Sequence, residues 1–506
     1  MNKRNFTFLF FVAGILFFLS GFSLKAQQAK EIIIKHADAY NYNEALGKDV
    51  QRLIGNVELM QDSVLFFSDS AYLNDKEKNF EAFGNVHINI HDTLNIFGNR
   101  LLYNGNSKVA ELFGNVILID PKAKLTANHL IYNRKTKIAY YDNGGTIYSD
   151  TNVLKSQRGY YNIKTKVFYF RRNVSLKSPD QTTFSDTLTY NSASQVAYFN
   201  GFTKIVSKES TIECTKGWYD TKREISKLYN GPEIYTNTQK LHADSLIYNN
   251  KTTFGQAYGN ISIVDTSRQL IIKGNIAALW NDLGKTYVTG NSEAITYDSQ
   301  DSLYMHSDTL WLYFNKKKKA KKLLAYHGVR FFRTDLQGVC DSLAYTMKDS
   351  TMRMFTSPVL WSGKNQLTSD TIIININHNK ADSMELRNNA FIVSQDSTTS
   401  FNQIKGRNMT GYFHNNALYK INVNGNAQSL YWVRNDNHKL IGVNKADAGY
   451  MVINIQGNKI ITIRYFDQPE ETLFPVEELT PSMEKLQGFS WKEKLRPKSR
   501  KDIFLN

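Results

Sequence analysis

The sequence predicts an all-β chain built as a solenoid-like stack of about thirteen two-strand repeats. Three observations predict it: a 29-residue internal period, a second interleaved glycine period, and period-two alternation of apolar residues between them. Tyr103, Tyr132, Tyr161, Tyr190, Tyr219 and Tyr248 follow one another at identical 29-residue steps. Their contexts match, as in Arg100-Leu101-Leu102-Tyr103-Asn104, His129-Leu130-Ile131-Tyr132-Asn133 and Ser245-Leu246-Ile247-Tyr248-Asn249. A small polar residue precedes the apolar pair, often aspartate, as at Asp69, Asp186, Asp244, Asp308, Asp341 and Asp370.

Gly55, Gly84, Gly114, Gly144, Gly201, Gly231, Gly259 and Gly290 recur at about the same period, several opening a Gly-Asn-Val phrase. Both Gly and Asn tolerate positive φ, so the phrase reads as a turn, and the repeat as turn, strand, turn, strand with half-units of about 14 residues. In Val86-His87-Ile88-Asn89-Ile90-His91 the aliphatics share one face, as in a strand with one buried side. The repeats span 50–265 in regular form and 266–466 in looser form. Residues 27–49 lead in, and 467–506 are a Pro-rich charged tail containing Pro469, Pro475, Pro481 and Pro497. This tail reads as a disordered or loosely docked terminus, with a docking segment for a partner as the alternative.

Lys3 and Arg4, the uncharged stretch Phe6 to Phe22, and Ser23-Leu24-Lys25-Ala26 read as a cleaved signal peptide over 1–26, with an uncleaved anchor as the alternative. Its removal takes Lys3, Arg4 and Lys25 and no acid, so a net charge of +16 becomes +13. A basic exported chain suits a membrane surface or a phosphorylated glycolipid; export disfavours nucleic acid. Two cysteines, Cys214 and Cys340, exclude a disulfide framework. They lie four repeats apart, roughly 19 Å at one strand spacing per repeat, so no bond between them is expected.

Chemistry is not legible. Gly284-Lys285-Thr286 lacks the upstream glycine of a phosphate loop, with Leu279 in its place. His87 and His91 on one strand would stand roughly 13 Å apart, too far for one metal ion. The aspartates recur with the structural period, which fits hydrogen bonding to turn backbone at each strand entrance better than paired-carboxylate hydrolysis. The run Lys316 to Lys322 reads as a solvated hairpin loop, or as a contact with lipid phosphates. No catalytic residue, metal site or cofactor is expected.

Signal peptide, Gly-Asn-Val half-units and small-polar-Leu-x-Tyr-Asn half-units together resemble the OstA/LptA family of lipopolysaccharide-transport proteins, over most of 50–455. The resemblance implies an elongated, open β-jelly-roll whose two sheets enclose an apolar groove for acyl chains. It implies a periplasmic carrier, associated with the outer or inner membrane, in a bridge to the outer membrane. The partners it implies are lipopolysaccharide or a related glycolipid and other OstA-domain proteins joined edge to edge, with a homo-oligomer among the arrangements allowed. Alternation nominates Val57, Leu59, Val86, Ile88, Val116, Leu118, Leu130, Leu188, Leu246, Ile261 and Ile263 as groove-lining. Ordinary core packing accounts for any one of them equally well. The chain departs from an LptA in its greater number of repeats. An outer-membrane β-barrel and an exported β-helix adhesin or polysaccharide-active protein are the rival readings.

Overall fold

The computed structural model describes residues 31–505 apart from 43–46, 48, 92, 298–300, 317–318, 378–379, 415–416, 436, 438 and 458. The proposed signal peptide lies outside the described residues, as do Lys317 and Lys318 of the lysine run; Lys321 and Lys322 of that run belong to the strand Ala320–Arg333 and not to a loop. Among the described residues no helix is long and apolar enough to cross a membrane. Thirty-six strands account for nearly all the regular structure among the described residues, every described pairing is antiparallel, and the fold is a β-jelly-roll. Hairpin-wise antiparallel register is incompatible with the parallel coils of a β-helix. The chain divides into two compact units, 1–143 and 144–506.

In the first unit, β1 (Ile33–His36) and β2 (Ala39–Tyr42) both pair with β3 (Val50–Gln61). A meander follows through β4 (Val64–Asn74), β5 (Asn79–Ile90), β6 (Leu94–Asn104), β7 (Val109–Asp120), β8 (Ala123–Asn133) and β9 (Ile138–Tyr141). The strands are long because Gly-Asn is not a turn between them. Ile54 pairs with Ser70 and Val57 with Ser68, so Gly55-Asn56 is a bulge in the middle of β3. The same slip occurs at Gly84-Asn85 in β5 and Gly114-Asn115 in β7. A turn and a bulge both call for positive φ, and here Gly84 has φ 72° and Asn85 φ 41°. The true turns are short links such as Asp62-Ser63 and those after Ile90 and Asp120, and the four-residue links beyond Asn74, Asn104 and Asn133, where the asparagine side chain caps the turn backbone.

Each recurrent aspartate sits opposite a bulge: Asp69, Asp186, Asp308 and Asp341 lie within strands, while Asp244 and Asp370 stand at the entrances of Ser245–Asn249 and Thr371–Asn377. Asp69 accepts hydrogen bonds from Asn85 Nδ2 at 3.1 and 3.2 Å, and Asp244 from Asn260 and Asp370 from Asn389 do the same. The apolar alternation skips a step at the bulge, Ser68 and Ala71 both being buried in β4. The sheet therefore bends there and folds over on itself as two facing layers. One layer holds 50–54, 70–74, 79–83, 100–104, 109–113 and 130–133; the other holds 57–61, 64–68, 86–90, 94–98, 116–120 and 123–127. Phe66 of the second layer meets Tyr103 and Phe80 of the first at ring-centroid distances of 4.6 and 5.2 Å.

The second unit repeats this plan. It opens with β10 (Gly145–Ser149), β11 (Asn152–Ser156), β12 (Arg158–Asn162), β13 (Val167–Lys177), β14 (Gln181–Asn191), β15 (Val196–Ser207), β16 (Thr211–Asp220) and β17 (Ile225–Tyr229). The meander continues to Lys459–Phe466 and Glu470–Pro475, which both pair with Leu440–Gln456.

The Pro-rich tail then runs back across the outer face of earlier strands. Gln403 clamps it, Nε2 donating to Glu484 O and Oε1 accepting from Leu486 N, each at 2.8 Å. Gln366 does the same with Ser490 O and Lys492 N, and Gln337 Oε1 accepts from Arg496 Nε. Arg500 makes a two-pronged pair with buried Glu293, both contacts 2.7 Å. Leu486 covers Phe391, Val393, Leu430, Trp432 and Val443. Those residues are on the side of the sheet away from interior Ala390 and Ile392, so here the sheet is buried on both faces.

Two outcomes follow from this architecture. A Cβ at Gly84 would stand 2.2 Å from Asp69 Oδ2 in a positive-φ backbone, whereas Gly363, also at positive φ, meets nothing within 4 Å. Gly84→Ala should therefore cost about 1–3 kcal/mol more than Gly363→Ala in urea denaturation; equal costs would contradict the pinned-bulge account. Ending the chain at Pro475 should expose the Phe391–Trp432 stripe and produce self-association by light scattering, where retention of the full-length particle mass would show that the tail does not cover it.

Candidate lipid-binding interior and its seam

The space between the layers is apolar. Val57, Leu59, Val86, Ile88, Val116, Leu118 and Leu130 point into it in the first unit, and Leu188, Leu246 and Ile261 in the second; all are buried. Ile263 lies in the same row but is half-buried. Large rings fill the spaces between the aliphatics. Tyr103, Tyr132, Tyr161, Tyr190 and Tyr219 are all buried, so the 29-residue period marks an inward column of tyrosines. Tyr161 stacks on Phe168 at 3.8 Å. At 0–2% exposure for most of these side chains, the interior is closely packed.

One side of the two-layer fold is the bend at the bulges. The other is a seam where the turns of one layer meet those of the other. In the first unit a polar network crosses this seam. Gln61 Oε1, at the end of β3, accepts from Tyr103 Oη at 2.5 Å and from Arg134 Nη1 at 3.2 Å. Arg134 Nη1 also donates to Tyr103 Oη, and Nη2 to Gln61 O at 3.1 Å. Gln61 Nε2 donates to Gly105 O, and Lys108 pairs with Asp62. Arg134 Nη2 lies 3.9 Å from the same carboxylate, and its guanidinium stands over the Phe66 and Tyr103 rings. Arg134 is only 7% exposed, so its charge is held by this set of acceptors.

The electrostatics follow the geometry. Burial raises the Tyr103 phenol above its ordinary range, with Arg134 opposing, and pushes Tyr132 up to about 12. Lys137 at the rim is held below the usual lysine range, first by partial desolvation and then by the positive charges of Arg134 and Lys108. In the second unit the seam is crossed without an ion pair at this place: Tyr190 Oη donates to Ser149 Oγ and Asn152 Nδ2 to Thr221 Oγ1, each at 3.4 Å, and Gln195 Nε2 donates to the Asp150 carboxylate at 3.5 Å.

The other residues nominated for chemistry are accounted for structurally. Cys214 and Cys340 are separate buried thiols, pushed up by burial to about 11 and about 12. His87 stacks between Phe67 and Phe97 on the outer face and bonds Asn95 Oδ1 at 2.8 Å, while His91 sits in the following turn. Among the described residues no group of three metal-ligating side chains converges. The seam network was not read from the sequence. Its one trace there is position 134: the residue after Tyr-Asn is Gly105, Ile163, Ser192 or Asn250 in other copies, and arginine only here.

A two-layer antiparallel repeat, bent at Asp-pinned Gly-Asn bulges over an apolar interior, defines a class of β-jelly-roll. The OstA-like protein family matches residues 29–186 and 173–244, and the family described as LptA/(LptD N-terminal domain) LPS transport protein matches 272–380. Together these cover more than half of the chain, which belongs to the OstA/LptA-like family. Among solved structures it is similar to LptH, the LptA-homologous periplasmic component of the lipopolysaccharide transport device of Pseudomonas aeruginosa, at 18% identity and a TM-score of 0.15 over 27% of this chain and 81% of that one. No curated protein matches the chain.

Replacing Arg134 with methionine should leave Gln61, Tyr103 and Asp62 without their shared cation at a partly buried seam. We expect about 3–5 kcal/mol of destabilisation of the first unit, read as a lowered denaturation midpoint. A loss within 0.5 kcal/mol, the usual range for a surface change, would show that the network does not hold the layers together.

Proposed function

We propose that this protein is a periplasmic carrier of lipopolysaccharide or a related glycolipid, sheltering acyl chains between its two layers as part of a bridge to the outer membrane. The observation that carries the reading is the row of apolar side chains facing inward along each unit, from Val57 to Leu130 and from Leu188 through Leu246 and Ile261. Transport families matching both regions of the repeat support it.

Magnitudes decide how such an interior could work. Each methylene taken from water contributes about 0.8 kcal/mol, so an acyl chain of about a dozen carbons gains on the order of 10 kcal/mol. Opposing it are the seam hydrogen bonds, each to a charged partner worth about 1.5–3 kcal/mol, and the packing the chain displaces. The two sides are comparable. Entry by parting the layers along the seam is then reversible, which a carrier requires, whereas a rigid empty groove would hold its cargo too tightly. Similar interiors in successive repeats favour movement along the stack over capture in one place.

The outer faces argue for a water-surrounded protein over a membrane barrel. Arg52, Arg100 and Glu81 project from the outer face of their strands in the first unit and Arg158 and Arg171 in the second, where a barrel would present its apolar band. Partners would join edge to edge: the edge strand Ala39–Tyr42 carries exposed Tyr40 and Tyr42, and the edge strand Lys459–Phe466 carries exposed Ile461. The net positive charge suits a phosphorylated cargo. The roles are those of a carrier, with no catalytic residue assigned.

A photoreactive residue at Ile88 or Leu118 should crosslink to lipopolysaccharide in living cells, while one at outward His87 should not. Equal labelling from both faces, or none from the interior, would contradict the proposal.

A further inference from the structure

The outer face of β12 to β17 carries a second arrangement that core packing does not explain. Reading straight across the strands, Tyr160 pairs with Tyr169, Tyr169 with Thr189, Thr189 with Tyr198, Tyr198 with Trp218 and Trp218 with Lys227. All point away from the interior, because their neighbours Tyr161, Phe168, Tyr190, Phe199 and Tyr219 point into it. Tyr160, Tyr169 and Tyr198 are 42%, 50% and 44% exposed. Nothing in the fold rewards such a row of solvent-facing rings.

A second row lies beside it, two residues further from the seam. Arg158 stands directly opposite Arg171, Arg171 opposite Thr187, and Lys216 opposite Asn200. Two arginines facing each other across antiparallel strands repel. Neither has a carboxylate partner among the described residues, and neither row contains an acid. The acids of these strands, Asp186, Glu213 and Asp220, are placed otherwise: Asp186 at the bulge, Glu213 paired with Lys204 at 3.5 Å, and Asp220 at the turn, where it caps Lys222 and Arg223. Between the rows is a shallow hollow with Gly217 in its wall, lined by Thr189, Tyr198, Asn200, Lys216, Trp218 and Tyr229.

We propose that this face binds the anionic saccharide head of the carried glycolipid. The inference rests on the carrier reading for the identity of that lipid. Aromatic rings on neighbouring strands stand about 4.8 Å apart, close to the length of one pyranose ring, and their faces suit the C–H faces of sugars. The phenol hydroxyls, Thr189 and Asn200 supply donors and acceptors for hydroxyls. Arg158, Arg171 and Lys216 supply the charge for phosphate or carboxylate substituents, with Arg able to grip them in two-pronged fashion. The aromatic row is two residues from the seam, roughly 7 Å. A lipid with its chains between the layers and its head emerging at the seam of this unit can therefore lay its first sugars on the row.

The test uses the full chain and the phosphorylated core oligosaccharide freed from lipopolysaccharide by complete deacylation, titrated calorimetrically. Its dephosphorylated form and neutral maltohexaose serve as comparisons. The expected result is saturable binding of the phosphorylated oligosaccharide that weakens at least tenfold in Tyr169→Ala/Tyr198→Ala. In Arg158→Ser/Arg171→Ser the preference over the dephosphorylated form and most of the salt dependence should disappear. Wild-type affinity in both variants, equal binding of all three sugars, or capture of a protein on this face with no sugar bound would overturn the inference. Crosslinking of intact lipopolysaccharide from Leu118 in the same variants separates the two claims. Interior crosslinking with no oligosaccharide binding removes only the saccharide site, whereas oligosaccharide binding that depends on Tyr169 and Arg171 without interior crosslinking removes only the carrier reading.

Discussion

The interaction on which the rest of the structure depends is the carboxylate of an aspartate holding the asparagine of a Gly-Asn bulge, or of the Asn388-Asn389 bulge that replaces it in one copy, on the next strand. Asp69 to Asn85, Asp244 to Asn260 and Asp370 to Asn389 are the same bond in distant copies. Consecutive positive-φ residues shorten one strand relative to its partner and turn its direction. Without that bend, strands of 11 or 12 residues would form a flat sheet with one apolar face open to water. With it, each strand supplies both walls of an interior, and each repeat closes only against its neighbours.

A sheet folded in this way is fixed on one side and free on the other. The bend is held by backbone geometry. The seam is held by side chains, with a buried cation at Arg134 in the first unit and hydrogen bonds without such a cation around Tyr190 and Asn152 in the second. The apolar interior and this non-covalent seam are the two features on which the proposed carrier reading rests: the interior would attract chains of methylenes, and the seam would part to admit them. The tail answers a different need. Strands between Lys285 and Gln456 carry apolar residues on their outer side as well, and the tail from Leu479 to Ile503 covers them.

Much of this was legible in the residues. The 29-residue period, the alternation and the inward positions from Val57 to Ile261 are local patterns, and a strand's period of two leaves only one face for them. The Gly-Asn phrase was legible as positive φ but not as a bulge, because turn and bulge make the same demand on the backbone and differ only in what lies opposite. The role of Asp69 depended on that same missing fact. Arg134 and Gln61 are 73 positions apart and meet only because the layers face each other. The clamps at Gln337, Gln366 and Gln403 on a tail 81 to 159 positions away are equally invisible to local pattern. The outward aromatic row escaped for another reason: Tyr169 and Tyr198 look in sequence like their inward neighbours, and only the register separates the faces.

The central claim is that the two layers part along the seam to take up lipid. The most direct measurement is the distance between spin labels at Ser63 and Thr136, on facing turns of the first unit, with and without lipopolysaccharide. The account predicts a single short distance in the free protein and a longer population that grows with lipid and saturates. A distribution that does not change at lipid concentrations giving saturated binding would contradict it.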